Sequence, residues 1–403
     1  MSLNVRPVLS ALCRNRAGAI LVALEIAIAL AVMVNATWII AQRIAAIDMP
    51  AGFDVADTFA IGLAELSSRS DLGAAQREDL AYLRSLPGVV SATATSAAPF
   101  SEFGQGDSVS HEPGPDAPSV DMRSMQSDET TLPTLGVRIV AGRNFTAADI
   151  QPLSHEMFAS TPVVIITQSL ANKLFPGGNA VGKPVYEGND TPMTVVGVTN
   201  DFVPSVWGIP SYDSLLYPQT PGNFGDYFCL VRTQPGRTAA VLATVRQHLA
   251  ISNPDRVIIA AHTLRYYQQR LEAENRNVAI FLTLVTALIL SVTCLGIFGL
   301  TTFNVSTRTK QIGTLRAVGA RKRDIVTHFL VENAIILLAG AVVGCTLALG
   351  VAYWLTDQYQ LPRLDLHYLA VGVLIIAAIG QLAAWQPARR AASVPPSVAT
   401  RTI

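Results

Sequence analysis

The chain has 403 residues, half of them apolar and only 14% charged, with 29 basic residues against 29 acidic ones. That is the composition of a membrane protein rather than of a soluble domain, and a net charge of zero gives nucleic acid no global electrostatic hold. The four cysteines, Cys13, Cys229, Cys294 and Cys345, include no CxxC pair, which excludes a disulfide scaffold and a cysteine zinc site.

Residues 1–16 carry Arg6, Arg14 and Arg16 ahead of a first apolar run, Ala17–Ile40. This run and three later ones, Val278–Phe303, Ile325–Leu355 and Leu366–Trp385, reach the about 20 residues a helix needs to cross a bilayer. The first is too long for a signal-peptide core and has no small-x-small site followed by a mature-like start, so it is read as an uncleaved span. Glu25 sits inside it, roughly 13 Å deep at about 1.5 Å per residue. A charge there costs about 2.5–3.5 kcal/mol. Either it faces a partner helix or wet interface and fixes assembly, or it is protonated or snorkels. A proton relay needs a second buried acid, and the other spans are read as offering none.

Residues 41–277 form one large domain between the first two spans. A first βαβ stretch is predicted as a strand at Val55–Leu63, a helix at Gln76–Leu86 and a strand at Val89–Ala97. Leu80, Leu83 and Leu86 set the helix, and Pro87-Gly88 stops it. A second stretch has a strand at Tyr227–Arg232, a helix at Thr238–Leu249 and a strand at Arg256–Ala261, with Asn253-Pro254 as the break. Two βαβ halves predict a split ferredoxin-like sandwich. The residues between them, about 99–225, predict an inserted, mostly β subdomain. It opens with a Gly/Pro-rich loop at Ser101–Pro118, followed by strands at Val137–Ala141, Val163–Thr167 and Thr194–Thr199.

Gly177–Lys183 imitates a phosphate-binding loop, but Pro184 stands where Ser or Thr should hold magnesium, and no strand precedes it. It is read as a turn. His111, His155, His248, His262, His328 and His367 form no HxxxH pair, and no G-x-S-x-G occurs, so no catalytic or metal site is predicted.

Leu264–Val278 lacks Gly and Pro and predicts a stalk helix, 264–277, running into the second span at 278–303. A loop at 304–324, a third span at 325–355, a short loop at 356–365, a fourth span at 366–385 and a tail at 386–403 follow. Arg308, Lys310, Arg316, Arg321, Lys322 and Arg323 crowd the first of these loops, and Arg389, Arg390 and Arg401 the tail. The positive-inside rule places the N-terminus, the basic loop and the tail in the cytoplasm, and the large domain outside. Cys229 is then the one thiol that an impermeant reagent could reach, provided it is not buried. Gly340 and Gly344 make a GxxxG in the third span, a pattern that lets helices approach. In the basic loop Ile312, Leu315 and Val318 recur three apart and Gly319 breaks the run. That suits an amphipathic segment on anionic lipid or a short helix projecting into a cytoplasmic partner. The fold expected is a membrane protein with four transmembrane helices and an α+β extracytoplasmic domain.

Arg308–Ile325 resembles the signature cytoplasmic loop of the MacB/FtsX-type permeases of ABC transporters, an R-x-x-E-I-G-x-x-R-A-x-G-A-x-x-x-x-I pattern. Leu135–Asp149, Ser169–Lys183 and Val195–Val198 are similar to the periplasmic domain of the MacB-like branch. Pro387–Ala392 with Pro396 and Arg401 is similar to the family's tail. The resemblance covers essentially the whole chain. It implies an ATPase on a separate subunit that binds ATP and magnesium, leaving this chain without cofactor or catalysis. The ATPase-coupling residues would be Arg308, Lys310, Gln311, Ile312, Gly313, Leu315, Arg316, Val318, Gly319, Ala320, Arg321 and Asp324. Glu25, Gly340 and Gly344 are the candidates for packing and assembly within the membrane.

The resemblance further implies a dimer of permeases with two ATPase subunits in the bacterial inner membrane. Nucleotide-driven closure would be relayed by stalk helices to the periplasm, with an adaptor and an outer-membrane channel completing a tripartite pump for a peptide, antibiotic or similar molecule. Gln311 stands where Glu is usual, and Pro395 where an acid is common, which favours a sister permease over a homodimer. Two competing readings are a lipoprotein-releasing permease, disfavoured by the MacB-like motifs, and a non-transporting regulator of a cell-wall hydrolase, disfavoured by the size of the external domain.

Overall fold

The computed structural model describes residues 16–66, 72–153, 161–187, 191–205, 210–222, 225–359 and 363–393. Arg6, Cys13, Arg14, His155, Pro395, Pro396 and Arg401, and the side chain of Arg16, lie outside the described residues. The chain divides into two compact units, Met1–Ile44 with Arg276–Ile403, and Ala45–Asn275.

Helix α1 (Arg16–Ile47) is followed by β1 (Thr58–Glu65), α2 (Leu72–Ser85) and β2 (Val89–Thr95). Next come β3 (Gln105–Ser110), β4 (Ser119–Ser127), α3 (Thr131–Leu135), β5 (Ile139–Gly142), β6 (Val163–Thr167) and α4 (Gln168–Leu174). β7 (Pro184–Glu187), β8 (Pro192–Thr199) and β9 (Ser214–Pro218) lead back to β10 (Asp226–Thr233), α5 (Thr238–Ser252) and β11 (Arg256–Thr263). Four helices end the described chain: α6 (Leu264–Thr307), α7 (Thr309–Ala317), α8 (Lys322–Tyr359) and α9 (Leu366–Ala392).

The two βαβ halves meet in one antiparallel sheet ordered β11-β1-β10-β2, the ferredoxin-like arrangement. The strand period of two divides β1 between two cores. Phe59, Ile61 and Leu63 pack with Leu83, Tyr227, Val231, Val245 and Leu249 from α2, β10 and α5. Ala60, Phe228 and Leu230 pack on a second core with Leu135, Phe145, Ile165 and Phe202. Burial on both faces is why these strands read as continuous apolar runs. The Arg256 side chain, 4% exposed, pairs with Asp79 on α2 (Nη1–Oδ1 2.9 Å), whose other oxygen accepts from the Tyr227 hydroxyl at 2.6 Å. Cys229 is fully buried in this core, so it is out of an impermeant reagent's reach.

The inserted subdomain is a closed sheet. Strands run β8-β6-β9-β4-β3-β7, and β7 returns to β8, which offers the same edge to β5 further along. Val109, Met122, Val164, Ile166, Val185, Val195 and Leu215 belong to its apolar core. Ser101–Pro118, expected to be loop, contains β3. The polar residues of β3 are drawn into a strand by pairing with β4 and β7, and within β3 only Val109 and Ser110 are buried.

Among the described residues, four helices are long and apolar enough to cross a membrane, Ala17–Ile47, Leu264–Thr307, Lys322–Gln358 and Leu366–Ala392. The predicted stalk and second span are one 44-residue helix, α6, about 66 Å long at about 1.5 Å per residue. Helices run past the expected span ends: α8 continues to Tyr359, within the loop expected at 356–365, and α9 to Ala392, within the tail expected from 386, with Pro387 buried inside it. No Gly interrupts these continuations, and α9 accommodates Pro387, so the helices outlast their apolar runs.

Candidate functional site

The basic segment after α6 folds into a helix, a tight turn and the start of another helix. Gly319 has φ +106°, a conformation that glycine adopts without strain. Around it the Ala320 amide donates to the Leu315 carbonyl at 3.0 Å and the Gly319 amide to the Arg316 carbonyl at 3.2 Å. That is the Schellman closure of α7. On the far side, Asp324 Oδ2 accepts from the Arg321 amide at 2.9 Å and so caps α8.

The inner side of this element is clamped. Ile312 is 4% exposed and packs with Ile325 and Phe329 of α8 and with Ala388, Ala391 and Ala392 of α9; Ala320 lies against the same cluster. Gly313 is buried beside Ile312. Arg316 Nη1 donates to the Ala392 carbonyl at 3.0 Å, supplying a partner at the end of α9. Arg308 Nη1 lies 3.0 Å from Glu332 Oε2 of α8.

The outer side is open. Leu315 is 55% exposed and Val318 84%, flanked by exposed Lys310, Gln311, Gly319, Arg321, Lys322, Arg323 and Asp324. The single apolar face expected from Ile312, Leu315 and Val318 does not exist. Each step of three residues turns the helix back by about 60°, and Val318 falls beyond the end of α7. Ile312 therefore points inward while the other two remain on the surface among cations.

The second group of candidates packs α1 into the helical unit. A Cβ on Gly340 would stand 2.7 Å from the Ala23 carbonyl oxygen, and one on Gly344 would stand 2.9 Å from that of Ala27. Only glycine lets α8 approach α1 so closely. A Cβ on Gly296 of α6 would collide with the Glu25 carboxyl, whose Oε1 is buried with no hydrogen-bond partner among the described residues. The spans were read as holding no second acid. Glu332, 3% exposed and inside the expected third span, corrects that. Sequence reasoning also passed over Asn35, which donates to the Ala348 carbonyl at 3.2 Å, and Asn333, which donates to the Gly380 carbonyl at 3.0 Å. Amides inside apolar helices were the available signal.

Gly177–Lys183 precedes the strand β7 rather than a helix, and the Lys183 ammonium sits 4.7 Å from the centre of the Phe175 ring. A phosphate loop needs a helix N-terminus at that point.

A family model described as the MacB-like periplasmic core domain matches residues 21–248, and one described as the FtsX-like permease C-terminal region matches 283–396. The chain belongs to the MacB/FtsX-type ABC transporter permeases. MacB/FtsX-type permeases of this architecture are multi-pass membrane proteins with an extracytoplasmic domain, and the four apolar helices and the Ala45–Asn275 unit supply both parts.

Among relatives, the macrolide export ATP-binding/permease protein MacB of Azoarcus sp. (strain BH72) is 27% identical over 70% of this chain. The ABC transporter permease YvrN of Bacillus subtilis (strain 168) is 26% identical over 68% of it. The chain spans 44% of the MacB relative's length and 68% of YvrN. The periplasmic region of MacB from Actinobacillus actinomycetemcomitans aligns at TM-score 0.34 and 16% identity, over 55% of this chain and 94% of that one.

Proposed function

We propose that this permease is the passive mechanical subunit of an efflux or secretion transporter of the bacterial inner membrane. An ABC ATPase that binds ATP and magnesium docks in the cytoplasm on Leu315, Val318 and the cations around them. The observation that carries the reading is the two-sided build of the Arg308–Asp324 element, apolar and basic outside, bolted inside to α8 and α9. A flat, loosely held loop would absorb a push; this one passes it on through Ile312, Arg316 and Arg308. One residue, Arg308, separates α7 from α6, and α6 is uninterrupted from Leu264 to Thr307, so a displacement of α7 is carried along a stiff rod.

The cargo is a peptide, antibiotic or similar molecule handled on the outer side, and macrolide export by the MacB relative supports that class. A second permease, a sister chain in preference to a second copy, completes the membrane part. An adaptor and an outer-membrane channel complete a tripartite pump.

The test is gentle solubilisation of the tagged chain with identification of what accompanies it, followed by reconstitution. Leu315→Asp and Val318→Asp should lose the co-purifying ATPase while thermal unfolding of the permease is unchanged, since both side chains are exposed. Retention of a fully coupled ATPase by both variants would falsify the docking surface.

A further inference from the structure

β11 is the terminal strand of its sheet, bonded to β1 and to no other strand among the described residues. About half of a strand's N–H and C=O groups point away from a single neighbour, so this edge is free to pair. The register slips at Ile259, between the Gly62–Ala260 and Leu63–Ile258 pairs, which leaves Ala260–Thr263 as the regular stretch. Beside it, α5 and β11 enclose an open groove of about 610 Å³. Ala239, Leu242, Ala243, Arg246, Gln247 and Ala250 form the α5 wall, and Ala261 and Thr263 lie on the β11 side. The three alanines keep this wall low and leave room for another chain's side chains. From Ala239 to Ala250 the wall runs about 16 Å at about 1.5 Å per residue, the length of about five residues of strand.

Arg246 is the charged side chain of the groove's lining. Arg246 has no carboxylate partner among the described residues. His262 alternates to the other face of β11 from Ala261 and Thr263 and stacks on Tyr266, outside the groove, so Arg246 is the cation left to meet a ligand. An extended segment that carries a carboxylate complements that cation.

We propose that this groove receives an extended segment of an extracytoplasmic partner protein, added to the sheet beside β11, with alternate apolar side chains against the alanines and a carboxylate on Arg246. Main-chain pairing with Ala260–Thr263 supplies affinity, and the groove and its cation supply selectivity. The strand that would be augmented ends at Thr263, and α6 begins at Leu264. Occupancy is therefore registered by the element that leads into the longest helix of the protein. The site lies wholly within the Ala45–Asn275 unit and does not depend on the ATPase surface.

The test uses the full chain in lipid nanodiscs and a random six-residue peptide library displayed on phage. Selection should enrich peptides with one Asp or Glu and alternating apolar residues. A labelled enriched peptide should bind about tenfold more weakly to Ala243→Trp, which fills the groove, and to Arg246→Glu, which should turn the selection toward Lys and Arg. Both positions are exposed, and unchanged thermal unfolding of the variants excludes misfolding as the cause. No enrichment over empty nanodiscs, or binding that survives Ala243→Trp, overturns the proposal. So does efficient disulfide linkage of two copies through Ala243→Cys, which would show that the groove is covered by a second permease.

Discussion

Gly296 and the Glu25 carboxyl compete for one space between α6 and α1: a Cβ on the glycine would overlap Glu25 Oε2. Gly296→Leu should therefore displace the acid and overpack the contact, at a cost of about 1–3 kcal/mol. Thermal unfolding in detergent should show the loss. Glu25→Ala should restore much of it in the double variant, and a double variant no more stable than Gly296→Leu alone would refute the pairing.

The glycines of α8 supply their own control. Gly344 faces the backbone of Ala27, with a built Cβ 2.9 Å from its carbonyl oxygen, whereas Gly350 has nothing within 4 Å. Backbone cannot step aside as a carboxyl can. Gly344→Leu should lower the unfolding temperature markedly while Gly350→Leu, in the same helix, leaves it nearly unchanged. Equal effects would mean that the seam with α1 contributes little.

Arg308 was expected to serve a partner, and the structure turns it inward to Glu332, with side chains 19% and 4% exposed. Removing one member of a buried pair strands the other, at about 3–5 kcal/mol. Arg308→Met should sharply increase proteolysis of the basic segment in reconstituted vesicles. Glu332→Leu on that background should reverse most of the increase. If it does not, the pair is not what holds α7 to α8.

The inserted subdomain should show a pH dependence through Glu187. Burial pushes its carboxyl up to about 7, against the pull of the hydrogen bond from Tyr217 and with a further push from Asp107. The folded state thus holds a proton between about 4.5 and about 7 that the unfolded chain has released. Stability from this group is full below about 4.5, falls as pH rises through 7, and stays low above it. Glu187→Gln should flatten that slope and stabilise the protein at pH 8 by up to about 3 kcal/mol. Unfolding midpoints from pH 4 to 8 decide it, and identical slopes in both proteins would reject it.

The ferredoxin halves were legible because their signals are local. Leu80 and Leu83 repeat at helical spacing, Pro87-Gly88 closes the helix, and Tyr227–Arg232 is an apolar run inside the observed β10. Val163–Thr167 was found to the residue, being a short β-branched run just after a proline. β3 was hidden, because Gln105–Ser110 has one buried apolar side chain and becomes a strand only when β4 and β7 flank it. Closure of the sheet through the pairing of β3 with β7, some 76–78 residues apart, is equally non-local.

In the basic segment, the residue types and the Gly319 turn were readable, but the facing of Leu315 and Val318 was not. It depends on how α8 and α9 fill the space around Ile312. Glu332 went unseen inside an apolar run, since its partner lies 24 residues away.

Thr263 and Leu264 are consecutive, the last residue of a strand and the first of a helix, with nothing between them to take up slack. Inserting one amino acid within the first turn of α6 would rotate all later side chains of that helix by about 100° and advance them by about 1.5 Å. The junction behaves like a keyed shaft: its phase, as much as its chemistry, is a fixed dimension of the machine.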